Sequence, residues 1–283
     1  MDVCIFYFSG TGNTKWVADK FVENFSYKGM EAEAHSIELL EPVKVKELAA
    51  ESRILMFAYP VYGSYIPEPM KRFVDEFPPL HLHNEIAIVC TQMMFSGDGA
   101  WFYHDAFEEK GYKVKWTYHF IMPSNVSIRL FPLPYTSDQH KIKKILAKCE
   151  KKIVEAVDNI NMNVPSLTGS STLSYILGLM QRPFYKKYIK RPFKTPLKAD
   201  HDACVKCMRC IQICPESNIR LSDGEIVFGN ECTLCLRCYN FCPKTAITAY
   251  GVRHKKNKPT YKGPEGFDPA LIAKRKDLMD FME

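Results

Sequence analysis

Eight of the eleven cysteines in this 283-residue chain fall between Cys204 and Cys242, and their spacing repeats. Cys204, Cys207, Cys210 and Cys214 form a C-x-x-C-x-x-C-x-x-x-C run closed by Pro215. Cys232, Cys235, Cys238 and Cys242 repeat it 28 residues later, closed by Pro243. Arg209 recurs as Arg237 and Ile219 as Ile247, so the segment is an internal duplication. Three thiolates spaced by two residues can grip three metal atoms of one cluster, and the fourth ligand has to come from elsewhere in the chain. A disulfide scaffold would need an oxidising compartment. Single zinc ions are usually held by cysteine pairs rather than evenly spaced triplets with a remote fourth.

A second group of residues suits an anion. Ser9-Gly10-Thr11-Gly12-Asn13-Thr14 follows the apolar run Val3–Phe8 and precedes a segment whose apolar positions, Trp16, Val17, Phe21 and Phe25, have helical spacing. A turn that opens a helix presents free N–H groups and the positive end of the helix dipole. The hydroxyls of Ser9, Thr11 and Thr14 and the Asn13 amide add further hydrogen-bonding groups. Neither common nucleotide motif is present. The dinucleotide fingerprint needs a third glycine where Lys15 stands, and no Gly-Lys-Ser/Thr follows at the Walker spacing.

The elements that must position these groups alternate over the first 160 residues. Strands are expected at Val3–Phe8, Ala32–Ile37, Arg53–Tyr59, Glu85–Thr91 and Val114–Ile121. Helices are expected at Asn13–Phe25, near Pro67–Phe77, from Asp98 to Lys110, and from an Asp138 N-cap to about Asn159. The strands read as continuous apolar runs, which marks a parallel sheet covered on both faces. The fold class is therefore α/β, a doubly wound sheet of five parallel strands. Leu173, Ile176, Leu177, Met180, Phe184 and Tyr188 form an amphipathic segment with a basic far end at Lys186, Lys187, Lys190, Arg191, Lys194 and Lys198. Its plain reading is a connector packed on both flanking regions; the sharper one is a docking surface for an acidic partner or an anionic membrane. A short C-terminal helix is expected from Pro269 to Met282, in a tail that wraps back onto the body.

The cysteine block resembles bacterial two-cluster ferredoxins. The resemblance implies a small α+β domain in which Cys204, Cys207, Cys210 and Cys242 hold one [4Fe-4S] cluster and Cys232, Cys235, Cys238 and Cys214 the other. The six-residue loop at Ser9 resembles the phosphate loop of flavodoxins, a likeness that spans roughly residues 1–160. It implies a flavodoxin-like fold, with the FMN phosphate cradled by Ser9, Gly10, Thr11, Gly12, Asn13 and Thr14. The flavin ring would then lie between Pro60, Val61, Tyr62 and Gly63 on one side and Thr91, Phe95, Ser96 and Gly97 on the other. Tyr62 is expected to stack on the ring. Flavodoxins often carry a second tyrosine where this chain has Met94 and Phe95.

The whole resembles the flavodoxin–ferredoxin fusions of anaerobic bacteria. It implies an FMN domain over 1–162, a basic helical linker over 163–198, a two-cluster domain over 199–250 and a tail over 251–283. The expected function is electron transfer between two [4Fe-4S] clusters, FMN and an external redox partner protein. The alternatives are a flavin-dependent reductase of a small molecule fed by its own clusters, and a redox-sensing or assembly partner. Residues 1–165 carry net charge −3 and residues 166–283 net +9, so the formal +6 describes neither part. The basic run near Arg253 is short and has no recognition motif, which argues against nucleic acid. No apolar stretch is long enough for a membrane span and no signal peptide is apparent, so a cytoplasmic location is expected.

Overall fold

The computed structural model describes residues 1–79, 84–128, 135–186, 196–254 and 259–274, with only the backbone at 184 and 265. Six strands form one parallel sheet: β1 (Val3–Tyr7), β2 (Ala32–Ser36), β3 (Ile54–Pro60), β4 (Glu85–Gln92), β5 (Lys113–Ile121) and β6 (Ser166–Leu167), in the order β2-β1-β3-β4-β5-β6. The expectation of five strands is corrected by β6. It pairs Ser166 and Leu167 with Trp116 and Thr117, and it is held by Trp116 Nε1–H to the Val164 carbonyl (2.8 Å) and Thr117 Oγ1–H to the Thr168 carbonyl (2.7 Å). Two residues carry no readable apolar run, so the strand is found only by its pairing with β5, which includes the Thr168 N–H to Thr117 carbonyl bond at 3.2 Å.

β1 and most of β3 and β4 are buried on both faces, as their continuous apolar runs require. On one face, Val3, Ile5 and Met56 meet α1 (Asn13–Tyr27) and α5 (Gln139–Asn161) through Val17, Phe21, Ile153 and Val157. On the other, Phe6 and Phe57 pack with Phe73, Phe77 and Phe107, ring centroids 4.6–6.3 Å apart. That face is covered by α2 (Pro42–Glu51), α3 (Glu68–Asp75) and the one-turn α4 (Asp105–Glu108). The sequence reading has no helix at α2, whose mixed Lys/Glu composition masks Val45, Leu48 and Ala49. It also overextends α4, since residues 98–103 are turns. Asp138 caps α5 as expected, accepting the His140 and Lys141 N–H groups.

Strand order reverses direction between β1 and β3. The loops after β1, β3 and β4 therefore open at one edge, the place where open α/β sheets bind ligands.

Helix α6 (Thr172–Phe184) follows, capped by Ser171. A smaller unit comes next. β7 (Leu197–Ala199) pairs antiparallel with β10 (Ile247–Ala249), and β8 (Ile219–Ser222) forms a hairpin with β9 (Glu225–Phe228). Short helices α7 (Arg209–Gln212) and α8 (Arg237–Phe241) sit at the third cysteine of each run. The tail returns to the first unit: Ile272 is buried in its core and its carbonyl accepts from Ser36 Oγ at 2.9 Å. The expected helix begins here only as the single turn Pro269–Leu271, and its remainder lies outside the described residues, as do Lys187, Tyr188, Lys190, Arg191 and Lys194. Among the described residues no helix is long and apolar enough to cross a membrane.

Candidate functional site

The loop after β1 turns sharply into α1. Ser9 Oγ accepts the N–H groups of Gly12 and Lys15, both at 3.2 Å, which fixes the turn. Thr14 Oγ1 meets Thr91 Oγ1 at 2.8 Å, tying this loop to the end of β4. Asn13 donates to the Pro123 carbonyl at 2.8 Å, and Asn125 donates to Thr11 Oγ1 at 3.0 Å. The Met122–Asn125 segment after β5 is therefore part of the same cradle. Among the described residues, the Gly10 and Thr11 N–H groups have no hydrogen-bond acceptor.

A cavity of about 580 Å³ opens at this loop, within the range of ligand pockets. Twelve of the fourteen residues expected around FMN line it: Ser9, Gly10, Thr11, Asn13, Thr14, Pro60, Val61, Tyr62, Gly63, Thr91, Phe95 and Ser96. Gly12 and Gly97 do not. Gly12, at φ +97°, lies under the Phe267 ring of the tail, and a Cβ there would come within 2.6 Å of that ring. Gly97, at φ +59°, is covered by α6, where a Cβ would meet the Gly178 nitrogen at 2.5 Å. Both glycines serve close approach of another segment.

Six lining residues come from parts of the chain assigned to other domains. Met180, Gln181 and Tyr185 come from α6 and its end, and Leu234, Leu236 and Tyr250 come from the cysteine unit. Tyr185 packs straight onto the Gly63 backbone, and Gln181 accepts from Ser64 Oγ at 2.7 Å. The segment expected as a linker is therefore a wall of the site. Its helical apolar spacing signalled packing, but only the fold shows against what. Among the described residues the buried Tyr62 hydroxyl has no hydrogen-bond partner; it lies beside Gly10 and the Cys235 backbone. Burial pushes its pKa well above the usual phenol value. Phe95 is half exposed at the rim.

The cysteine runs are duplicated in their backbone. Lys206 and Met208 adopt the left-handed conformation in the first, as do Leu234 and Leu236 in the second. Alternating left-handed residues turn N–H groups inward, a geometry that receives anions. Three backbone N–H groups of the unit already point at sulfur: Lys206 to Cys204 Sγ (3.4 Å), Asn218 to Cys214 Sγ (3.4 Å) and Ala246 to Cys242 Sγ (3.2 Å). The thiols fall into two groups that exchange their fourth members. Cys210 senses Cys204, Cys207 and Cys242, while Cys238 senses Cys235, Cys232 and Cys214 and, least of the four, Cys210 of the other group. Burial, reinforced by the neighbouring thiols, pushes Cys210 up to about 12. Burial does the same to Cys235, opposed by the Arg237 charge.

A single zinc at about 2.3 Å from each sulfur would bring sulfurs to about 3.8 Å. Among the described residues, no cysteine group has its sulfurs within 4.8 Å of one another; the only metal-sized cluster is His104, Asp105 and Glu108 at the surface.

The two sites touch. Gly10 lies against the Cys235 carbonyl, where a Cβ would come within 2.8 Å. Cys235 is buried in the core of the first unit, while Cys207 of the other group is exposed. Arg237 is fully buried. It donates to the carbonyls of Ser9 (2.7 Å), Gly10 (3.1 Å) and Ile213 (3.2 Å), and pairs with the Glu38 carboxylate.

No family model and no curated protein matches the chain. Solved structures similar to it include a flavodoxin from the domain Archaea, 18% identical, covering 56% of this chain and 99% of that one at a TM-score of 0.37. A two-electron reduced Megasphaera elsdenii flavodoxin is 20% identical over 53% of this chain and 98% of that one, TM-score 0.37. The general stress protein 14 of Treponema denticola, in complex with FMN, is 10% identical over 56% and 97%, TM-score 0.40.

Proposed function

We propose that this chain is an electron-transfer protein that holds FMN in the cavity after β1, β3 and β4 and two [4Fe-4S] clusters in the cysteine runs. The observation that carries this reading is the contact of Gly10 with Cys235, which joins an anion-ready loop to a buried thiolate loop in one chain. Such clusters supply one-electron steps, and a bound flavin stores one electron or two.

The residues divide the work. Gly10 and Thr11 offer free N–H groups to a phosphate, and Thr14 and Thr91 fix the floor beneath it. Tyr62, Tyr185 and Met180 exclude water from the ring's space. Cys214, Cys232, Cys235 and Cys238 form the inner group, against the cavity. Cys204, Cys207, Cys210 and Cys242 form the outer group, with Cys207 at the surface facing an external redox partner. Cys235 and Cys238 are buried and Cys207 is exposed, which favours a carrier over a reductase, whose substrate would need the space that Tyr185 and α6 fill.

Anaerobic purification with reconstitution tests the reading. About eight iron, eight sulfide and one FMN per chain are expected. Cys210→Ala should halve the iron, and Cys149→Ala should leave it unchanged. Full reconstitution without a flavin spectrum would overturn the FMN assignment.

A further inference from the structure

Arg237 is the second-largest fully buried side chain of the molecule, after Trp116, and it stands between Cys235 and Cys238. Its counterpart in the first repeat, Arg209, is 36% exposed and pairs with Asp268 of the tail at 2.7 Å. The same sequence position therefore has two fates, and only one reaches the phosphate loop. The guanidinium of Arg237 bonds the Ser9 and Gly10 carbonyls. In a trans peptide the N–H points opposite to the C=O. Holding those two carbonyls back turns the Gly10 and Thr11 N–H groups the other way, and among the described residues neither has a protein acceptor. Only a planar fork bonds two carbonyls and a carboxylate at once. Glu38 supplies the counter-charge, so the buried pair is near neutral and small changes in it reach both sides.

We propose that Arg237 is a positioning residue shared by both cofactor sites: it aims the phosphate-loop N–H groups and sets the electrostatic potential felt by the inner cysteine group, so that flavin phosphate occupancy and the inner cluster's electron affinity are linked. This rests on the function proposed above. Linkage is reciprocal. A phosphate on the loop lowers the electron affinity of the inner group, and an added electron there weakens phosphate binding.

The test is an EPR-monitored redox titration of reconstituted full-length protein, with FMN affinity measured by fluorescence quenching in the same preparations. Arg237→Gln should weaken FMN about tenfold and shift one cluster, not both, to lower potential by about 59 mV, the value of a tenfold change for one electron. Glu38→Gln should shift the same cluster upward and strengthen FMN, because it removes the opposing charge. Arg237→Lys should keep the potential and lose FMN affinity. Arg209→Gln should leave FMN affinity unchanged and move only the other cluster. Riboflavin, which lacks the phosphate, should bind all variants alike.

A merely structural role predicts the opposite pattern, with Arg237→Gln and Glu38→Gln changing both readouts in the same direction; that result overturns the proposal, as does an unchanged FMN affinity in Arg237→Gln. Should Arg237→Gln fail to fold, the upward shift in Glu38→Gln decides alone. Wild-type protein that takes up no iron or no flavin overturns the function itself, whereas loaded wild type with unmoved variants overturns only this linkage.

Discussion

His119 sits on β5 with its ring turned inward, 8% exposed, and its Nε2 accepts the Ala100 N–H at 3.0 Å. Burial, helped by the Lys152 charge, holds its pKa down at about 4. The unfolded chain binds the proton near pH 6.5 and the folded chain does not. Stability from this group is therefore complete above about pH 6.5 and falls as pH drops toward 4, at about 1.4 kcal/mol per pH unit. Chemical denaturation of His119→Gln between pH 7.5 and 5 should show a correspondingly flatter pH dependence than wild type. At this scale the sequence was informative wherever spacing carries the chemistry: the eight cysteines and the loop residues Ser9 to Thr14 were legible because their types and intervals are constrained by what they bind. His119 and Arg237 were not. Nothing local to an arginine between two cysteines says that Glu38, 199 residues away, will be its partner.

The element that changed most between sequence and structure is α6. Its apolar spacing gave a helix, but its function follows from a buried ion pair: Arg182 donates to Asp98 at 2.5 Å, with the two side chains 6% and 4% exposed. Arg182 also lies over the Phe102 ring at 4.2 Å. Gly178 permits the approach, since any side chain there would collide with the Asp98 carboxylate. From sequence Asp98 reads as the first residue of a helix, but its partner is tertiary and lies 84 residues on. Removing one member of such a pair leaves the other charge buried and alone. Asp98→Ala should cost about 3–5 kcal/mol in denaturant unfolding and weaken FMN retention, because Tyr185 and Met180 would lose their mooring. A double Asp98→Leu, Arg182→Met change should cost less than the single one. β6 and α2 stayed hidden for a related reason: each is stabilised by what it packs on rather than by its own pattern.

Across the whole molecule, the chain's two charge regimes meet at the cofactor junction. The basic half, residues 166–283, contains all eight clustered cysteines, and clusters ligated by four thiolates are anionic. On the proposed function, that surplus would partly compensate the charge of the clusters. The tail completes the junction: Tyr261 donates to Asn13 at 2.5 Å, Phe267 covers Gly12 and Lys262 donates to the Asn240 carbonyl. The parallel sheet and the cysteine repeat could be anticipated separately from periodicity and spacing. Their contact could not, because it is made by backbone groups of Gly10 and Cys235. On the proposed function, placing both sites in one chain would make electron exchange between them intramolecular, at an effective concentration that separate proteins rarely reach. The direct measurement is rapid-mixing reduction of the reconstituted protein by a one-electron donor, following flavin absorbance at several protein concentrations. We expect a phase of flavin reduction whose rate constant is independent of protein concentration and which disappears in Cys235→Ala. Flavin reduction that scales with protein concentration, or that persists unchanged in Cys235→Ala, would contradict a relay within the chain.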